Sequence, residues 1–158
     1  MAGKLSAGLL LHRLREDGEV EVMVVHMGGP YWAKKDERGW SIPKGEYGEG
    51  EEPLAVARRE FREELGKEVP PGEPTPLGEL RQPSRKVITA WALEADIDVS
   101  EISSNTFEIE WPPRSGKRQS FPEVDRAGWF DIPTARRKLV EGQVPFLDRL
   151  LAALAQRG

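Results

Sequence analysis

The 158-residue chain contains no cysteine. That excludes a disulfide framework, a thiolate zinc site and a thiol nucleophile. Long apolar runs are missing too, none approaching the ~18–20 residues that cross a bilayer. The run from Leu5 to Leu11 imitates a secretory leader but contains Ser6 and Gly8 and runs into His12-Arg13. Because no small-residue cleavage pattern follows, it reads as a strand of the mature protein, with the cytoplasm as the expected location and no membrane partner. Charge of one sign is not in excess either. The 23 Lys+Arg nearly balance 27 Asp+Glu, giving −4, so there is no fold-wide basic field of the kind that holds nucleic acid.

What is present suits a single globular unit spanning residues 1–158. Hydrophobic residues make up 38% and glycines number 16, an ordinary balance for one buried core. Leu5–Leu14 and Val20–Met27 flank a turn at Glu16-Asp17-Gly18 and read as an antiparallel hairpin. Gly28–Gly39 is a polar loop, followed by a short strand at Trp40-Ser41-Ile42. Leu54–Leu65 carries helical periodicity, with Pro53 in the first turn and Gly66 just past the end. The proline-rich stretch Val69–Pro76 reads as a connector. Strands are expected at Arg85–Asp96, Thr106–Trp111 and Gly128–Ile132, a basic turn at Pro112–Gln119, and helices at Thr134–Glu141 and Pro145–Ala155. Strands interleaved with three helices predict an α/β sandwich around a mixed sheet.

The helix beginning near Glu51 carries the strongest chemical signal. On a helical wheel, Leu54, Ala57, Phe61 and Leu65 fall within an arc of roughly 80°, a narrow core-facing stripe. Glu60, Glu63 and Glu64 fill the neighbouring arc of roughly 100°. Like charges at i,i+4 repel, so helix stability gives no reason to gather them. A hard divalent cation does, because Mg²⁺ or Mn²⁺ prefers oxygen ligands. Acidic helix faces are more often simply solvated. The upstream context argues otherwise here, since Gly45 and the loop Glu46-Tyr47-Gly48-Glu49-Gly50 lead into Glu51 and form an acidic cradle. Gly45 is read as sitting in a tight turn that lets the backbone approach a ligand.

Gly45, five residues, Glu51, seven residues and Arg59-Glu60-Phe61-Arg62-Glu63-Glu64-Leu65-Gly66 resemble the signature box of the Nudix hydrolases, G-x5-E-x7-R-E-U-x-E-E-x-G-U. All seven fixed positions agree, and Lys67 departs only from the final apolar slot. The resemblance implies an α/β/α sandwich and an enzyme that hydrolyses a diphosphate linkage in a nucleoside diphosphate derivative, of nucleoside triphosphate or dinucleoside polyphosphate type. The cofactor it implies is Mg²⁺ or Mn²⁺. By position, the implied metal ligands are Glu60, Glu63 and Glu64 together with the carbonyl of Gly45, and Arg59 would orient the carboxylates through Glu51. Glu63 or Glu64 is the favoured general base, with Glu108, Glu110 and Glu123 as alternatives outside the box.

The expected partner is a small nucleotide rather than a nucleic acid, with a homodimer left open. Lys44 lies beside the cradle and could meet a phosphate oxygen. Lys34, Arg38 and Arg85 are further candidates for phosphate binding, although single cations of this kind are usually solvated. Tyr31, Trp32 and Trp40 could stack on a base, with core packing preferred for Trp40. His12 and His26 have no metal-ligand spacing and receive no chemistry. A module that binds a nucleotide without turning it over is the competing reading, and the intact carboxylate set argues against it.

Overall fold

A computed structural model describes residues 4–157. The chain runs β1 (Leu5–Leu14), β2 (Val20–Met27), β3 (Trp40–Ser41), β4 (Lys44–Tyr47), α1 (Pro53–Leu65), β5 (Thr75–Arg81), β6 (Val87–Glu94), β7 (Thr106–Glu110), β8 (Arg118–Pro122), β9 (Val124–Asp131), α2 (Ile132–Lys138), a 3₁₀ turn at Glu141–Gln143 and α3 (Pro145–Arg157). The main sheet is mixed. β1 pairs parallel with β6 and antiparallel with β2 and β4, β5 extends the sheet beyond β6, and β3 and β9 both pair with β2. Strand β1 therefore has β4 alongside its first half and β2 alongside its second. β7 and β8 form a separate two-stranded hairpin.

The period-2 alternation of β1 and β2 sends side chains to both faces, and each face is covered. Ala7, Leu9, Leu11, Met23 and Val25 pack against Val56, Ala57, Phe61 and Leu65 of α1. On the other face, Leu10, Val22, Val24 and Ile88 pack with Ala135 of α2 and Phe146, Leu147 and Leu150 of α3. The result is the expected α/β/α sandwich around a mixed sheet. Among the described residues no helix is long and apolar enough to cross a membrane.

Several boundaries differ from the sequence reading. β5 begins at Thr75, within the last two residues of the expected connector, and runs on to Arg81. It is an edge strand with only Leu77 buried and with a register shift between Pro76 and Gly78, the position where a sheet tolerates Pro and Gly. β8 replaces the end of the expected basic turn, and β9 begins four residues before Gly128. Helix α2 starts at Ile132 because Asp131 caps it, its carboxylate accepting from the Thr134 N–H at 2.9 Å. It ends at Lys138, and Glu141 belongs to the 3₁₀ turn.

Candidate metal and phosphate site

Helix α1 is fixed at both ends. The Glu52 carboxylate accepts from the N–H groups of Leu54 and Ala55, Pro53 occupies the first helical position, and Gly66 ends the helix in the left-handed conformation at φ 67°. Downstream, the segment 103–105 takes up carbonyls of the last turn. The Ser103 N–H donates to Leu65 O at 3.1 Å and the Asn105 N–H to Glu63 O at 2.8 Å. Asn105 O in turn accepts from the Glu123 N–H at 2.8 Å, and Ser104 Oγ accepts from the Val124 N–H at 3.1 Å. The end of α1 and the start of β9 are thus held to one short piece of chain.

That clamp brings Glu123 to the helix. Oxygens of Glu60, Glu64 and Glu123 lie within 4.8 Å of one another, a grouping that could hold a divalent metal. Glu63 is not among the three that converge, although its charge is felt at both Glu60 and Glu123. Glu108 and Glu110 sit on the exposed face of β7 and are not part of that grouping. Sequence reasoning had named Glu123 only as an alternative base. A lone glutamate nearly sixty positions beyond the helix carries no local pattern, and only the tertiary pairing identifies it.

Gly45 is not in a turn. It lies in β4 opposite Ala7 of β1, and it is absent from the positive-φ residues. The requirement for glycine is spatial: a Cβ at this position would overlap the carboxyl group of Glu60. Arg59 Nη1 donates to Glu51 Oε1 at 3.0 Å, the other Glu51 oxygen accepts from the Gly48 N–H at 2.9 Å, and Arg59 Nη2 stands 3.7 Å from Glu60 Oε1. Glu51 therefore ties the entering loop to Arg59, which borders the cluster.

The electrostatics follow from this crowding. Burial pushes the Glu64 carboxyl up to about 8, opposed by the Lys44 charge and reinforced by Glu60 and Glu123. Burial also raises Glu60, with Glu63 adding to it, and raises Glu123, again with Glu63 adding. All three carboxyls are displaced upward, first by burial, and the charges of Lys44 beside Glu64 and Arg59 beside Glu60 do not offset it. A hard cation fits this all-oxygen donor set. Lys44 is lowered by its own burial, and no hydrogen bond or ion pair joins its ammonium to another described group.

Two cavities meet at Lys44. The first, about 260 Å³, is lined by Glu64, Glu123, Lys44, Trp32, Met27 and Phe107 among others. The second, about 510 Å³, shares Met27, Trp32, Ser41 and Lys44 with it and continues past Ile88, Val140 and Gln143. Its far wall is held by Gln82, whose Nε2 donates to Gly142 O at 2.9 Å. Of the other cation candidates, Arg38 is occupied elsewhere, donating to the carbonyls of Arg136 and Leu139 at 2.8 and 3.2 Å. Arg85 sits in the β5–β6 turn at φ 72° and lines neither cavity, whereas its neighbour Lys86 lines the second. Lys34 is exposed and also lines neither. Trp40 is buried, edge-on to both His26 and Phe130, as preferred.

A family profile described as the NUDIX domain matches residues 5–150. Among solved structures, the chain is similar to a C. elegans Ap4A hydrolase in a binary complex, at 21% identity and TM-score 0.64, covering 96% of this chain and 98% of that one. It is also similar to the NUDIX domain of Shewanella oneidensis NrtR complexed with ADP ribose, at 15% identity and TM-score 0.67, covering 98% and 90%. A mutT/nudix family protein from Listeria innocua aligns at 17% identity and TM-score 0.64, covering 99% and 97%. No curated protein sequence gives a significant match.

Proposed function

The chain belongs to the Nudix family, and from that premise we propose that it is a divalent-metal-dependent hydrolase of a phosphoanhydride bond in a nucleoside diphosphate derivative. The observation that carries this reading is the convergence of Glu60, Glu64 and Glu123, two of which, Glu64 and Glu123, line a cavity together with Lys44. In this reading Glu60, Glu64 and Glu123 hold the metal. The Gly45–Glu63 part of the signature box contributes by placing the helix, with Glu51 and Arg59 keeping the entrance loop in position. Mg²⁺ or Mn²⁺, when bound, neutralises phosphate charge and lowers the pKa of a coordinated water.

Lys44 meets a phosphate oxygen, exchanging its position beside protonated or metal-bound Glu64 for a fully charged partner. The second cavity, reached past Lys44, receives the organic group attached to that phosphate. Its size lies in the range of about 300–1,000 Å³ usual for small-molecule sites. Glu63 stands one position from the cluster and is not needed to complete it, which makes it the carboxylate that accepts the proton of the attacking water. The Ap4A hydrolase and the ADP ribose complex among the similar structures are compatible with a nucleotide occupant.

The test separates the two carboxylates. With a panel of nucleoside triphosphates, dinucleoside polyphosphates and ADP ribose, Glu64→Gln is expected to weaken Mn²⁺ binding in calorimetry and abolish turnover together. Glu63→Gln should keep metal affinity within a few-fold while kcat falls by about 10²–10⁴-fold. Tight nucleotide binding with no turnover by the unaltered protein would instead establish a sensing module.

A further inference from the structure

The wall of the second cavity holds a polar group that neither the core nor the metal site uses. Ser6 of β1 is 1% exposed and lines that cavity, and its Oγ has no hydrogen-bond partner among the described residues. A buried hydroxyl left unpaired costs stability. Such a group at the edge of a cavity is accounted for when an occupant supplies the missing partner.

The pairing of the sheet identifies what stands over Ser6. It lies opposite Glu46 of β4 on one side and Ile88 of β6 on the other, so the three side chains leave the same face. Lys86, two positions before Ile88, lines the same cavity, and its ammonium is 3.1 Å from the Glu46 carboxylate. Because β1 lies between β4 and β6, this ion pair crosses over β1 beside Ser6. Both of its side chains are half-exposed, and ion pairs of that kind contribute little stability. Glu46 also has Lys4 within 3.7 Å, so it keeps a partner when Lys86 leaves. Lys44 stands opposite Gly8, two positions along β1 from Ser6. That spacing is about 7 Å, comparable with the span from a phosphate to the hydroxyls of the sugar it esterifies. The Lys86 charge is felt at Lys44, so an anion bound by Lys44 attracts Lys86 as well.

We propose that Ser6 reads a sugar hydroxyl of the bound nucleotide, and that the Glu46–Lys86 ion pair is the cover that opens to expose it. This rests on the phosphate contact assigned to Lys44 and goes beyond it in naming the atom that selects the organic group. The phosphate draws Lys86 off Glu46, and the uncovered Oγ then exchanges a hydrogen bond with the sugar, as donor or acceptor. A site built around a hydroxyl in need of a partner rejects an analogue lacking the matching group more strongly than an apolar wall does.

The experiment measures calorimetric Kd for ATP, 2′-deoxy-ATP, 3′-deoxy-ATP and inorganic triphosphate on the unaltered protein, Ser6→Ala and Glu46→Gln, with thermal melting in the absence of ligand. Ser6→Ala is expected to raise the ligand-free Tm by about 2–4 °C, because an unpaired buried hydroxyl is removed. The same change should weaken ATP binding about five- to tenfold. One of the two deoxy compounds should bind the unaltered protein about as weakly and lose nothing further in Ser6→Ala, as a directly coupled pair requires. Inorganic triphosphate should stay within about twofold, and Glu46→Gln, which frees Lys86, should tighten ATP about two- to threefold. A lower Tm in Ser6→Ala with unchanged ATP binding would show that the hydroxyl serves the fold and would overturn the proposal. Equal losses for ATP and both deoxy compounds would overturn it too, as would weaker ATP binding in Glu46→Gln or no ATP binding by the unaltered protein. Failure of the hydrolase reading looks different: ATP binds with the expected pattern across the variants, and no nucleotide is turned over.

Discussion

Gly45 shows how a residue can be recognised correctly and explained wrongly from sequence. A glycine ahead of an acidic helix reads as conformational freedom in a turn, yet the chain there is an ordinary strand and the space above Gly45 is filled by the Glu60 carboxyl. Gly45→Ala should therefore leave the backbone unstrained and push Glu60 out of the cluster. We expect Mn²⁺ affinity to fall by about 10–100-fold, with a stability loss of about 1–3 kcal/mol from overpacking, read by calorimetry and thermal melting. Unchanged affinity would mean that Glu60 relaxes without leaving the cluster. His26 illustrates the opposite case, a residue with no sequence signal. Its Nδ1 lies 2.8 Å from Asp125 Oδ1 and its Nε2 2.6 Å from the Lys35 carbonyl, so it braces β2 against the loop that carries Tyr31 and Trp32. Nothing in local spacing could announce a partner 99 positions away.

Elements differ in how much of themselves they declare. Helix α1 was legible throughout because its stripe, its proline, its closing glycine and its carboxylates all repeat at helical spacing and depend on neighbours in sequence. Its cap tests that local logic. Glu52→Ala removes the acceptor of two N–H groups and should lower stability by about 1 kcal/mol, visible as a lower Tm, while kcat at saturating metal stays unchanged because Glu52 does not reach the cluster. A fall in kcat would mean that the cap also sets the register of Glu60 and Glu64. Strands β5 and β8 were illegible for a shared reason. β5 lies at the sheet edge with only Leu77 buried, and β8 lies in a hairpin exposed along most of its length, so neither develops the alternation that burial of one face imposes. The metal-site geometry was half legible for the same reason. The two helical carboxylates announce themselves by i,i+4 spacing, whereas Glu123 is delivered by the 103–105 clamp.

At the scale of the whole molecule, the acidic cluster couples metal binding to folding and to pH. In the metal-free protein burial pushes the Glu64 carboxyl up to about 8, while in the unfolded chain it returns to its ordinary value of about 4.5. Between those values the folded state binds more protons than the unfolded one, so stability falls as pH rises and levels off above about 8. Glu60 and Glu123 are raised as well and act in the same direction. A bound divalent ion reverses this, because it needs the carboxylates ionised and releases their protons. Thermal melting of chelator-treated protein should therefore show Tm falling from pH 5.5 to 8. The Tm gain on adding Mg²⁺ should be larger at pH 8 than at pH 6, and calorimetry in buffers of different ionisation enthalpy should report protons released on binding. Glu64→Gln supplies the control: it should flatten most of the metal-free slope. A metal-free Tm that climbs through this range, with the same slope in Glu64→Gln, would show that the carboxylates are not crowded in solution and that the cluster does not assemble ahead of the ion.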